Sequence, residues 1–195
     1  HGKAGIAVPL TGTTLTHAVA LYQVMGEQWA RDFFNRIVAE NDAKRVNLPN
    51  SNGQTMTLTK SGELAWAWTD TDDYYVAELD AAHVARIYPD QVAAPGTLMK
   101  DGEPIGALLI PNTIMLMKDA PNPEAAKRFI DWVLRPEVEA RLAASRSAQI
   151  PVRDGVARPA HVGKIGDFKV MQVDYVALGK DIATRTEELT KLFNR

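Results

Sequence analysis

Three carboxylates and two phenols stand side by side in Thr69-Asp-Thr-Asp-Asp-Tyr-Tyr75, directly after the apolar run Leu64-Ala-Trp-Ala-Trp68. Asp70, Asp72 and Asp73 offer hard oxygen donors to a cation or metal, and a pair of them could divide acid and base roles if their surroundings separated their pKa values. Tyr74 and Tyr75 add phenol oxygens, which as phenolates suit a hard, highly charged cation. A second polar group, Thr11-Gly-Thr-Thr14, precedes a helical pattern, where unpaired backbone N–H groups and the positive end of a helix dipole attract an anion. The plainer role for Thr13 or Thr14 is an N-cap, and for the acidic run a solvated loop. Asn52 lies in the polar turn Pro49-Asn-Ser-Asn-Gly53, where Asn is also a common turn residue.

The elements that must position these groups read as an α/β pattern. Lys3–Leu10 is a short buried strand, and a helix follows the threonines. A second helix carries Met25, Trp29, Phe33 and Ile37 at spacings of three and four. The 44–53 turn leads to a short helix or extended segment ending near Lys60, and a strand carries Trp66 and Trp68 as core residues up to the acidic cluster. A helix is expected over Val76–His83, a strand over Val84–Tyr88 and a loose joint over Pro89–Glu103. Ile105–Lys118 reads as a long extended apolar run in which Met115 and Met117 pack. Helices follow from Ala125 to Leu134, after Pro121-Asn-Pro-Glu124, and from Pro136 through Leu142. A loop-like stretch over 149–169 and a last helix over Val173–Phe193 complete the chain.

Composition narrows the function. The 195 residues are 46% hydrophobic and carry a net charge of −2, with no basic stripe of the kind nucleic acid binding needs. No apolar run reaches the roughly 20 residues that cross a bilayer. The absence of cysteine excludes disulfides, Cys-zinc sites and thiol nucleophiles. His1, His17, His83 and His161 show no metal-ligand spacing, and a helix-face histidine such as His17 is more often packed or solvated than functional. There is no G-x-S-x-G elbow and no phosphate-loop motif, so an enzyme built on Asp72 and Asp73 ranks below a binding protein. A ligand-sensing regulatory domain is the other alternative.

Several segments in order resemble the type 2 periplasmic solute-binding proteins of ABC importers, in the branch that contains the ferric-ion binders. They are Gly2-Lys-Ala-Gly-Ile-Ala-Val-Pro-Leu-Thr-Gly-Thr-Thr14, Gly62-Glu63, Thr69-Asp-Thr-Asp-Asp73, Tyr88-Pro-Asp-Gln91, Gly96-Thr97, Ile110-Pro-Asn-Thr113, Ala120 to Asp131 and Ser147-Ala-Gln-Ile-Pro151. The resemblance implies a mixed sheet flanked by helices: residues 1–104 as the family's second lobe, and residues 105–195 as the return strand and C-terminal helical part of the other lobe. The family's N-terminal part is expected to be missing, as in a fragment. The resemblance further implies a non-enzymatic, monomeric binding component in the periplasm or outside the cell, membrane-associated where there is no outer membrane. It would need no cofactor, bind no nucleic acid, and hand a small solute to a membrane permease. That solute would be ferric ion with a companion anion, or another small anionic or zwitterionic species. The implied ligand residues are Thr11, Gly12, Thr13, Thr14, Asn52, Asp70, Thr71, Asp72 and Asp73, with Tyr74 and Tyr75 as metal donors. Counted without a gap from Gly62-Glu63, however, the family's tyrosine pair falls on Asp72 and Asp73, so Tyr74 and Tyr75 take that role only with a two-residue insertion at the strand end.

Overall fold

The computed structural model describes residues 3–194; His1 and Gly2, the latter the first residue of the opening motif, lie outside it. Three short strands, β1 (Ala4–Ile6), β2 (Val46–Asn47) and β3 (Trp66–Trp68), form a parallel sheet in the order β2-β1-β3. Ala4 pairs with Val46 on one side and with Trp66 on the other. Parallel neighbours require crossovers. Helices α1 (Gly12–Met25) and α2 (Glu27–Asp42) carry the chain from β1 to β2, and α3 (Asn52–Lys60) carries it past β1 to β3. Helix α4 (Thr71–Leu79) leaves β3. Every strand of this sheet therefore points its C-terminal end at the start of a helix.

Helix α1 is apolar nearly all round, with Leu15, Ala18, Val19, Ala20, Leu21, Tyr22 and Val24 buried, as expected of a helix at the centre of a core. Gly26, at φ 89°, separates it from α2, so Met25 ends one helix and Trp29, Phe33 and Ile37 belong to the next. Helix α2 turns Ala30, Phe34 and Val38 inward at a spacing of four. Trp68 packs on this core beside Phe33, whereas Trp66 is 58% exposed; β3 is an edge strand, and the expectation that both tryptophans are core holds for Trp68 alone.

Four further expectations change. Helix α4 begins at Thr71 instead of Val76, because Asp70 occupies its N-cap position and Asp72 and Asp73 fill a first turn that favours negative charge. The acidic cluster thus opens a helix and does not end a strand. No strand forms over Val84–Tyr88, where Ile87 is exposed. Within the expected joint, β4 (Met99–Lys100) and β5 (Glu103–Pro104) make a two-stranded hairpin. Its loop is Asp101-Gly102, both at positive φ, as the favoured two-residue hairpin turn requires. Of the run 105–118, only the start is buried, and a single parallel bridge joins Ala107 to Val170.

Helices α5 (Pro123–Val133) and α6 (Pro136–Ala143) start at prolines that supply a ready-made first-turn φ. Asp174 caps α7 (Tyr175–Phe193) by accepting hydrogen bonds from the Val176 and Ala177 amides, at 2.9 and 3.0 Å. Leu178 and Leu189 of α7, with Ile105 and Met171, share one hydrophobic cluster with α1 and α2. Arg185 of α7 reaches Glu27 at 2.7 Å and lies over the Tyr22 ring. A division at 104/105 therefore does not separate two cores, since α7 completes the core of the first.

Gly106 shows how closely the return segment is held. Its φ is +81°, and a Cβ there would stand 2.5 Å from the Lys169 carbonyl oxygen. Gly106→Ala is expected to cost about 2–4 kcal/mol through backbone strain and this clash. Urea denaturation of the variant checks it, and an unchanged midpoint would show that the 105–107 and 169–171 segments are free to separate.

Candidate functional site

The starts of α1, α3 and α4 meet at the C-terminal edge of the parallel sheet, where β1, β2 and β3 deliver them. Open α/β sheets bind ligands at such an edge, at the point where the strand order reverses. Here the chain turns one way from β1 to β2 and the other way to β3, so the reversal falls at β1.

Side chains from the three starts form one network. The Thr13 hydroxyl donates to Asp70 Oδ2 at 3.0 Å, and Asn52 Nδ2 reaches the same oxygen at 2.6 Å and Thr13 Oγ1 at 2.7 Å. Thr14 Oγ1 donates to Asn52 Oδ1 at 2.9 Å. Thr69 holds Asp73 Oδ2 at 3.2 Å. Neither Thr11 nor Asp70 uses its side chain to cap the helix that it precedes; the Asp70 carboxylate is taken up by Thr13 and Asn52. The structure thus gathers Thr13, Thr14, Asn52, Asp70 and Asp73 into one place, with Gly12, Thr71 and Asp72 in the same first turns and Thr11 exposed at the rim.

Charge is divided unevenly among the carboxylates. Burial opposes ionisation of Asp70, but hydrogen bonds from Asp72, Asn52 and Thr13 outweigh it and hold Asp70 below the ordinary range. Burial, together with the hydrogen bond to Asp70 and the charge on it, pushes Asp72 up to about 6. Asp73 is raised by burial and then by the charge on Asp70. Asp70 Oδ1 is buried with no hydrogen-bond partner among the described residues. Asp70 is therefore the resident anion of the three helix starts, and Asp72 ionises only at higher pH than an ordinary aspartate. His17 lies against Trp68, ring centroids 5.2 Å apart, and burial lowers its imidazole to about 4, so it is neutral near pH 7.

Tyr74 and Tyr75 belong to the middle of α4, not to a strand end. Tyr75 is 1% exposed, beside Ala148 and Val162, and its oxygen accepts from Arg86 Nη1 and, at 3.0 Å, from the Gly163 amide. Tyr74 donates to Glu78 at 3.1 Å, which, after burial, raises its pKa further. The Arg86 guanidinium lies 5.1, 5.0 and 4.9 Å from the ring centres of Tyr74, Tyr75 and Tyr88. In this geometry the Tyr75 oxygen is engaged by a cation and an amide, and the Tyr74 hydroxyl by Glu78. Arg86 escaped the sequence reading because nothing in its spacing marks a residue that serves rings 11 and 12 positions earlier. Among the described residues, no group of three or more His, Asp or Glu is arranged to hold a metal ion. A separate open groove of about 410 Å³ runs beside α2, lined by Trp29, Phe33, Arg36, Ile37, Glu40, Val46 and Leu98.

A profile of bacterial extracellular solute-binding proteins matches residues 4–140, most of the chain and all of the site. The chain belongs to this family. Two solved structures agree with it in fold. One is apo ferric ion-binding protein A of Pasteurella haemolytica, with a TM-score of 0.71 and 20% identity over 99% of this chain and 56% of that one. The other is apo FutA2 of Synechocystis PCC6803, with a TM-score of 0.67 and 15% identity over 100% of this chain and 60% of that one. The chain spans less than two thirds of either protein. The solute-binding chain has the type 2 periplasmic-binding-protein fold. No curated protein sequence matches it. Among the described residues, no helix is long and apolar enough to cross a membrane.

The raised Asp72 fixes the sign of a pH effect. Its folded pKa lies above its unfolded value, so stability is greatest while Asp72 is protonated in both states and declines as pH rises from about 4 to about 6. For this partly exposed group the loss is on the order of 1 kcal/mol after solvent screening. Asp72→Asn is expected to remove that decline in denaturation curves taken at pH 4 and pH 7; an equal decline in the variant would place the proton elsewhere.

Proposed function

We propose that this chain is the solute-capturing part of an ABC importer and that it binds a small solute over the starts of α1, α3 and α4. The observation that carries the reading is the Thr13–Asn52–Asp70 network, in which residues far apart in sequence converge at the switch point of a parallel sheet. Family membership supports a binding role without catalysis. In this reading the protein works in the periplasm or at the outer face of the membrane, and its partner is a permease.

The site favours a solute with charges of both signs. Backbone N–H groups in the first turns of the three helices face an anionic group, and Asp70, Asp72 and Asp73 face a cationic one. Small amino acids, amino-phosphonates and similar zwitterions have this form. Ferric ion with a companion anion is the second reading, supported by the fold shared with a protein named as ferric ion-binding. Here such a cargo would meet carboxylates and not the Tyr74–Tyr75 pair. On that basis, adding ferric ion with phosphate is expected to give no visible tyrosinate-to-iron band.

Calorimetric titration with phosphate, glycine and 2-aminoethylphosphonate tests the reading. The zwitterion is expected to bind, and Thr13→Ala or Asp72→Ala each to weaken it about tenfold or more, as loss of a hydrogen bond to a charged group does. The apo melting temperature should move only a few degrees. Undiminished affinity in both variants would move the site elsewhere, and a ferric band lost in Tyr75→Phe would restore the tyrosines as metal donors.

A further inference from the structure

Outside the helix starts, apolar surface and an unpaired charge come together in the groove beside α2. Trp29, Phe33 and Ile37 recur every four residues of α2 and so share one stripe, with Arg36 and Glu40 at its margin. Val46 at the start of β2 and Leu98 just before β4 complete the lining. Trp29, Phe33, Ile37 and Leu98 pack on the core of α1 and α2 from one side, yet none of them is fully buried, and their remaining surface faces the groove. The Trp29 and Phe33 rings stack with centroids 5.0 Å apart and planes 11° apart, which makes a flat, pre-formed aromatic wall. Because the core already orders these side chains, little conformational freedom is left to lose when a molecule settles on them. A volume of about 410 Å³ lies within the range of small-molecule sites.

The charge at the margin selects the occupant. Glu40 is already taken: Arg45 donates to both of its oxygens and, with Arg36 acting after it through space, holds the carboxyl below the ordinary range. Arg36 is exposed and makes no hydrogen bond or ion pair among the described residues. The Trp29 indole N–H has no acceptor among them either. Both groups are donors and one is charged, so an apolar wall beside them fits a molecule with a hydrocarbon body and an acid group. We propose that this groove is a second ligand site, which takes a small apolar carboxylate: the body lies on Trp29, Phe33 and Ile37, and the acid pairs with Arg36. A cationic ligand would meet Arg36 as a like charge, and a sugar would bury hydroxyls against apolar liners that offer them no partners. The groove shares no residue with the starts of α1, α3 and α4, so the proposal stands whether or not they hold a zwitterion.

Amide and indole N–H chemical shifts of the chain, followed during titration with 1-naphthylacetate and with its neutral amide, 1-naphthylacetamide, test the proposal. The acid is expected to move the Trp29 indole N–H and the amides of Phe33–Ile37, Val46 and Leu98, to leave Gly12–Thr14 unmoved, and to bind about fivefold tighter than the amide, as one favourable exposed ion pair allows. Arg36→Gln, at an exposed helix position, should abolish that preference while the amide still binds and the melting temperature holds. Equal affinity of acid and amide in the unaltered chain would overturn the proposal, as would a preference that survives in Arg36→Gln or the absence of any groove shift at millimolar acid. So would shifts centred on Gly12–Thr14, which would make the acid a solute of the helix starts. Groove shifts that grow with protein concentration alone, together with a dimer mass, would overturn it too, by making a second copy the occupant.

Discussion

Parallel pairing of three strands is the constraint on which the site depends. Because β1, β2 and β3 run the same way, α1, α3 and α4 must all start at one edge, and the positive ends of their dipoles accumulate there. Such an edge needs negative charge. In this chain Asp70 supplies it, drawing Thr13 and Asn52 onto one carboxylate oxygen, while burial, and after it the hydrogen bond to Asp70 and the charge on it, raise Asp72 to about 6. The network is thus a consequence of topology as much as of residue choice. A solute's anionic group would compete with Asp70 for the same field, and its cationic group would pair with the carboxylates of Asp72 and Asp73.

The same helix that brings the carboxylates to the edge anchors the rest of the chain. Tyr75, one turn beyond Asp72, is buried against Ala148 and Val162 and holds the Gly163 amide, while Asp80 at the end of α4 takes Lys60 and Arg146. Arg86 lies over three tyrosine rings and donates to the Tyr75 oxygen, while the buried Tyr88 hydroxyl has no hydrogen-bond partner among the described residues. These contacts engage both adjacent tyrosines in packing and hydrogen bonding within the chain.

Part of the site was legible because N-cap residue types announce helix starts: Thr11–Thr14 stood before an apolar run, and the structure places them at the start of α1, while Asn52, legible only as a turn residue, falls in the first turn of α3 behind the Ser51 cap. Their union was not legible, since the bonds that join them span 38 and 57 residues and depend on strand order. The start of α4 was misplaced because Asp70, Asp72 and Asp73 were weighed as ligands before being weighed as an N-cap and an acidic first turn. The Asp101-Gly102 hairpin was hidden inside the stretch expected to be a loose joint, because its strands are two residues each and carry no periodicity. The packing of α7 onto α1 was hidden for the opposite reason: its apolar stripe is plain, but nothing local says which of two cores receives it.

The central claim is that a solute is held at the shared edge of α1, α3 and α4. An amide chemical-shift map of the protein during titration with 2-aminoethylphosphonate, and separately with ferric ion plus phosphate, addresses it most directly. The account predicts that the largest changes fall on Gly12–Thr14, Asn52–Gly53 and Thr71–Asp73 for whichever probe binds. Changes centred instead on the groove of Trp29, Phe33 and Leu98, with those amides unmoved, would contradict it.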